Sequence, residues 1–243
     1  MRIPRIFIAH PLAAGQRIAL PKKVHRHLHQ VLRLRAGHRV VLFDGSGRDF
    51  PGTLVVIEGD QLGVALEPPG EPEPPPPLVV HLGLGITRGE RMEYSLQKSV
   101  ELGVSQITLL FTERTMVRLS GKRLHHRMAR WREILIAACE QSGRSVLPVL
   151  HPCQSLRDWL RTPHPFPLML DPRGEAPLSA LGTPEGALTL LLGPEGGLSP
   201  EERHQAKQAQ FTAVRLGPRI LRAETAPLAA LTLVQFLWGD LDI

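Results

Sequence analysis

Two stretches late in the chain carry residues whose types and spacing suit ligand chemistry: Leu190-Leu-Leu-Gly-Pro-Glu-Gly-Gly197 and Leu216-Gly-Pro-Arg-Ile-Leu-Arg-Ala-Glu-Thr-Ala226. Each is an apolar run ending in a glycine-bearing turn. Each therefore reads as a strand end that delivers backbone amides and carbonyls to a ligand at the carboxyl edge of an open α/β sheet. Glycine suits that task because backbone without a Cβ can approach a bound molecule closely. A helix start follows each turn. Ser199-Pro-Glu-Glu202 has capping-box spacing, with Pro200 at the first helical position. Thr225 can cap a helix reaching about Trp238, with Pro227 tolerated in its first turn.

Other chemistries find less support. Gly83-Leu-Gly-Ile-Thr-Arg88 follows an apolar run, but Arg88 stands where a dinucleotide fingerprint needs its third glycine. The chain has no phosphate-cradling G-x-x-x-x-G-K-[ST] sequence. His125 and His126 are adjacent, so they point to different sides of a helix and cannot ligate one metal together. Cys139 and Cys153 lack the spacing of a metal or redox pair, and we expect no metal.

A scaffold must position the two turns, and the chain divides to supply one. Pro68-Pro-Gly-Glu-Pro-Glu-Pro-Pro-Pro-Pro77 can form neither a helix nor a central strand and reads as a stiff spacer. The expected organisation is a first domain over 1–70, a proline-rich linker over 71–77 and a second domain over 78–243. Residues 39–43, 52–57 and 61–66 read as short strands separated by Asp44-Gly-Ser-Gly47 and Glu58-Gly-Asp60, a hairpin-rich pattern that predicts a small β-barrel. Residues 22–34 read as its helix, with Val24, Leu28, Val31 and Leu34 on one face. Beyond the spacer, strand patterns at 78–82, 106–111, 166–170, 187–192 and 212–216 alternate with helical ones. Met92, Leu96, Val100 and Gly103 mark one helix; Leu124, Met128, Trp131, Leu135 and Ala138 mark a longer one that Gly143 can end. Such alternation predicts a mostly parallel sheet covered on both faces. The last helix, 226–238, is apolar on nearly every side and must be buried, within the chain or against a twofold partner.

Net charge is +6 over 243 residues, 42% of them hydrophobic, enough for packed cores. No apolar run approaches a bilayer span and the basic start lacks the apolar segment of a signal peptide, so a cytoplasmic protein is expected. Residues 1–43 hold nine Lys or Arg and no acid, and a second basic cluster runs Arg114, Arg118, Lys122, Arg123, Arg127, Arg130, Arg132. Both suit a polyanion whose phosphates they neutralise.

The sequences Gly-Pro-Glu-Gly-Gly and Leu-Arg-x-Glu-Thr-Ala resemble the signature of the SPOUT class of knotted methyltransferases. Met1-Arg-Ile-Pro-Arg-Ile6, Phe43-Asp-Gly45, Arg88-Gly-Glu-Arg-Met-Glu93, Gln97-Lys-Ser-Val-Glu-Leu-Gly-Val104, Thr112-Glu-Arg114 and Ala137-Ala-Cys-Glu-Gln-Ser-Gly-Arg144 fit one family within it, the RsmE family. The resemblance implies an α/β fold: an N-terminal PUA-like β-barrel that helps hold RNA, then a SPOUT α/β domain with a C-terminal trefoil knot. No periodicity in the sequence predicts that knot. Also implied are methylation of N3 of a specific uridine in small-subunit (16S) ribosomal RNA, S-adenosyl-L-methionine as cofactor, a homodimer, and an assembled small ribosomal subunit as substrate.

The cofactor is expected to be wrapped by Leu170, Leu192, Gly193, Gly197, Leu216, Gly217, Ile220, Leu221, Arg222 and Thr225. Uridine N3 must lose a proton as the methyl arrives, so the site needs a base or a group that stabilises the anion developing across O2 and O4. Arg222 is the candidate for the second task, Glu224 and Glu140 for the first. Arg2, Arg5, Lys22, Lys23 and Arg26, with Arg114 and Arg144, are the candidate RNA contacts. Two alternatives stay open: a knotted enzyme acting on a ribose 2′-hydroxyl or a tRNA base, and a non-catalytic RNA-binding assembly protein.

Overall fold

The structure is a computed structural model that describes residues 3–57, 61–117, 119–174 and 176–241. Arg2, the turn at 58–60 and Arg118 lie outside the described residues, as do the side chains of His27 and Val31. The chain forms two compact units, Met1–Pro74 with Cys139–Leu147, and Pro75–Ala138 with Pro148–Ile243.

The first unit is a five-stranded sheet of β1 (Arg5–Phe7), β2 (Arg17–Ala19), β3 (Arg39–Phe43), β4 (Asp49–Val56) and β5 (Leu62–Leu66), in the order β1-β3-β4-β5-β2. Strand β1 runs parallel to β3 and the other pairs are antiparallel. Along β4, Phe50, Gly52 and Leu54 turn inward in strict alternation, which places them with Ile6, Ile18, Val40, Leu42 and Val64 in one core. The expected helix is shorter than its pattern: α1 (Lys22–Arg26) passes into a π-helical turn, His27–Val31. Leu28 is buried and Val24 packs on the same core. Part of the proline-rich stretch is tied to this unit, for the Gly70 and Glu73 amides donate to the Asp49 and Gly47 carbonyls.

The second unit is a seven-stranded parallel sheet, ordered β10-β12-β9-β11-β6-β7-β8. Its strands are β6 (Val79–Gly85), β7 (Gln106–Phe111), β8 (Val149–Ser155), β9 (Pro167–Leu170), β10 (Ala176–Pro177), β11 (Ala187–Leu192) and β12 (Thr212–Arg215). Its helices are α2 (Gly89–Glu101), α3 (Gly121–Ser142), α4 (Leu156–Trp159), α5 (Pro200–Gln208) and α6 (Thr225–Trp238). Of the stripes read as core, Met92, Leu96, Val100, Trp131, Leu135 and Ala138 are buried, while Gly103, Leu124 and Met128 are half-buried. Gly143 ends α3 with φ +91°, the left-handed geometry that costs glycine nothing. Two strands lack sequence signals. Edge strand β8 contains Pro152 and no alternation, and β10 is two residues long. Thr225 is the first residue of α6, and the preceding Glu224 holds the cap position.

Because every strand of this sheet is parallel, Gly85, Phe111, Leu170, Leu192 and Arg215 all finish on one edge. That edge carries the site.

Candidate active site

The end of β9, the turn after β11 and the segment after β12 enclose a cavity of about 310 Å³ at the carboxyl edge, with Arg114 and Arg203 also in its wall. Its apolar lining includes Leu170, Leu192, Leu198, Val214, Leu216, Ile220 and Leu221. Such a slot suits a flat heterocycle with a polar edge.

Glycine makes the first turn possible by close approach. A Cβ on Gly193 would lie 2.8 Å from the Gly197 carbonyl carbon, and one on Gly85 would lie 2.5 Å from Pro194 N. Gly197 closes the turn by donating its amide to the Pro194 carbonyl at 2.8 Å, with φ +66°. The second segment is held differently. Between Leu216 and Glu224 the only turn or loop backbone–backbone hydrogen bonds among the described residues are the two that the Arg222 carbonyl accepts from Thr225 and Ala226. Leu216, Gly217, Arg219, Ile220, Leu221 and Ala223 of this segment line the cavity, and their backbone groups take part in no other turn or loop backbone–backbone hydrogen bond among the described residues.

The walls are fixed from behind. Ser199 Oγ accepts the Glu202 amide at 3.1 Å while Glu202 Oε2 accepts the Ser199 amide at 2.9 Å, the reciprocal pair of a capping box. The same carboxylate takes the Glu113 amide through Oε1 at 2.8 Å. Arg203 Nε lies 3.5 Å from Asp171 Oδ2, and its Nη1 donates to the Leu198 carbonyl at 2.6 Å. Asp171 Oδ1 also accepts the Arg173 amide at 3.0 Å. Arg114 Nη1 donates to the Gly196 carbonyl at 2.7 Å.

A chain of charges joins the turns. Glu195 Oε1 accepts the Arg88 amide at 3.0 Å and lies 3.7 Å from Arg91 Nη1. Arg91 Nε in turn lies 3.8 Å from Glu224 Oε1, which is 4.0 Å from Arg222 Nη1. The Arg222 side chain is 80% exposed and that of Glu224 only 19%.

Eight of the residues expected around a ligand line this one cavity: Leu170, Leu192, Gly193, Gly197, Leu216, Gly217, Ile220 and Leu221. Arg222 and Thr225 are outside its lining, where Ala223 and Ala226 stand instead. Glu140 belongs to the first unit, and its Oε1 accepts the Phe7 amide at 3.0 Å.

Among the expected RNA contacts, Lys22, Lys23 and Arg26 are exposed on α1, Arg114 is exposed at the cavity, and Arg144 is half-buried in the first unit. Arg5 is turned inward. It pairs with Asp49, donates to the Arg144 carbonyl and Ser145 Oγ at 3.1 Å each, and lies over the Phe43 ring. Asp171, Arg173 and Arg203 were not expected; an acid following an apolar strand end, as Asp171 follows Leu170, is the only local signal they give.

Residues 74–235 match the RNA methyltransferase domain family, and residues 20–66 match the RNA methyltransferase PUA domain family. A ribosomal RNA small subunit methyltransferase E from Buchnera aphidicola is 32% identical over 99% of both chains. The protein of that name from Bacillus subtilis is 27% identical over 88% of each. The crystal structure of a ribosomal RNA small subunit methyltransferase E from Neisseria gonorrhoeae bound to S-adenosyl methionine superposes with TM-score 0.91 at 40% identity, covering 99% of this chain and all of that one. A Legionella pneumophila methyltransferase in complex with the same cofactor gives TM-score 0.94 at 35% identity, again over 99% of this chain and all of that one.

Proposed function

The chain belongs to the ribosomal RNA small subunit methyltransferase E family, and from that premise we propose that it transfers a methyl group from S-adenosyl-L-methionine to N3 of one uridine in 16S ribosomal RNA. The observation that carries the reading is the single cavity onto which both glycine-bearing turns open at the carboxyl edge.

The residues fit the cofactor. Gly197 and Gly217 hold left-handed φ values of +66° and +74°, and a Cβ on either would project into open space. Leu192, Leu216, Ile220 and Leu221 offer apolar faces to the adenine, and the loop 216–221 offers backbone groups to its edge. When bound, the cofactor supplies a methyl group already activated on a sulfonium, so no metal or covalent intermediate is needed.

The protein's tasks are then orientation and charge. Arg222, exposed beside the cavity segment, is assigned to the anion that develops across O2 and O4. Glu224, fixed between Arg91 and Arg222, is assigned to the N3 proton. Thr225 serves by starting α6. Glu140 is assigned to holding Phe7, outside the reaction.

Lys22, Lys23 and Arg26 give the PUA-like unit a cationic helix for RNA phosphates, with Arg114 and Arg144 as further contacts. An assembled small subunit is the proposed substrate, in the cytoplasm. The strand order β9-β11-β6, with the segment 216–224 leading into α6, supports a trefoil knot. A homodimer is supported by α6: Leu231 and Val234 are buried, yet Leu233, Phe236 and Leu237 remain exposed.

The test is to incubate the protein with methyl-labelled cofactor and either small ribosomal subunits or free 16S RNA, then identify the modified nucleoside by mass spectrometry. 3-Methyluridine is expected. A ribose methyl, another base or no transfer overturns the reading.

A further inference from the structure

We propose that the solvent side of the first three turns of α3 is a second RNA-docking surface, placed on the methyltransferase unit itself and holding phosphates close to the reactive edge. This inference rests on the RNA methyltransferase reading above.

Placement is the first argument. Helix α3 follows β7, whose carboxyl end lies on the edge that carries the cavity. The connecting segment contributes Arg114 to the cavity wall. The start of α3 therefore rises from the site's own edge.

Charge is the second. Arg127 and Arg130 approach Glu93 at 3.9 and 3.0 Å, so the intrachain acid accounts for them. Lys122, Arg123 and Arg132 have no carboxylate within ion-pair distance among the described residues, and all three are exposed. The first turn of α3 contains no acid. Cations there face the positive end of the helix dipole, a placement that opposes helix stability. A polyanion bound across them removes that opposition.

Shape selects RNA over an acidic peptide. Lys122, His125, Ala129 and Arg132, all exposed, recur at helical spacing along one side of the helix over about 15 Å, and His126 stands beside that row. The two imidazoles, centred 6.3 Å apart, stand exposed among the cations, where unpaired bases can stack on them while phosphates meet Lys and Arg. A peptide of acidic residues has nothing flat to place there.

The experiment uses the full chain carrying Lys122→Gln, Arg123→Gln and Arg132→Gln together, and a charge-preserving control with Lys122→Arg and Arg123→Lys. Cofactor affinity is read by calorimetry, 16S RNA affinity by salt titration, and methyl transfer by steady-state kinetics. The triple variant should flatten the salt dependence by about two units, at roughly 0.7 to 0.9 per phosphate contact. Its KM for RNA should rise, with kcat and cofactor affinity unchanged, and the control should keep the wild-type slope. An unchanged slope and KM in the triple variant, with the wild type methylating RNA normally, overturns the surface. Polyglutamate competing as well as RNA of equal charge overturns the choice of partner. A wild type that binds cofactor but transfers no methyl to RNA defeats the underlying function, and the surface falls with it.

Discussion

Arg91 Nε lies 3.8 Å from Glu224 Oε1 while Nη1 of the same guanidinium lies 3.7 Å from Glu195 Oε1. One side chain on α2 thus links the two turns that bound the cavity, one through each carboxylate. Arg91→Gln should lower the methyl-transfer rate by up to about a hundredfold, the cost of misplacing reacting groups by about 1 Å, and leave cofactor affinity unchanged. Arg91→Lys should recover little, because an ammonium cannot span two carboxylates as a planar fork does. Single-turnover rates equal to wild type would remove Arg91 from the site.

Gly197 has φ +66° with nothing near the position of a Cβ, so any side chain there is opposed by the backbone and would enter open space at the wall of the cavity. Gly197→Ala should cost about 1–2 kcal/mol of strain, and Gly197→Val should also abolish cofactor binding. Thermal unfolding should remain a single cooperative transition. Wild-type affinity in the valine variant, measured by calorimetry, would show that the turn does not touch the ligand.

His81, on β6, donates to or accepts from Thr108 Oγ1 at 2.8 Å and stands near His151 and His164. Burial first, then the charges of those two histidines, push its pKa down from 6.5 to about 4. The folded state thus resists a proton that the unfolded chain accepts. Stability from this group is fully present above pH 6.5 and is lost as pH falls from 6.5 toward 4. Allowing for partial solvent screening, the loss should be about 2 kcal/mol. Urea unfolding at pH 7.5, 6 and 5 measures it, and His81→Gln should flatten the dependence. An equally steep pH dependence in that variant would place the effect elsewhere.

Replacing Lys22, Lys23 and Arg26 together by Gln should reduce the salt slope of RNA binding by about two to three units. Cofactor affinity should not change. A slope identical to wild type would mean that α1 faces something other than phosphate.

Phe236 is 48% exposed on α6 while Val234, two residues earlier, is buried. Phe236→Glu should therefore leave each chain folded but shift sedimentation from dimer to monomer. A wild-type protein that is fully active as a monomer would dispose of the dimer.

What the sequence revealed follows from which interactions are local. The capping box at Ser199 and Glu202 was legible because its two hydrogen bonds close within three residues. Core strands β7 and β11 were legible because burial on both faces demands uninterrupted apolar runs. Edge strand β8 was not, for its central residues are His151, Pro152, Cys153 and Gln154. The inward turn of Arg5 depends on Asp49, 44 positions away, and a run of cations says nothing of such a partner. Arg203 and Asp171 escaped notice for the same reason: they meet only once β9 and α5 have been brought to one edge.

The first unit takes residues from both sides of a long insertion. Ser145 Oγ donates to Asp49 Oδ1 at 2.5 Å, its amide and that of Val146 donate to Glu73, and Arg5 reaches the Arg144 carbonyl. During synthesis Glu73 must therefore wait for residues 139–147 about 4 to 15 s at 5–20 residues per second, and Asp49 and Arg5, made earlier, wait longer. For that interval the nascent sheet is exposed without its closing contacts, and a fragment cut at the proline stretch would remain permanently in that unfinished condition.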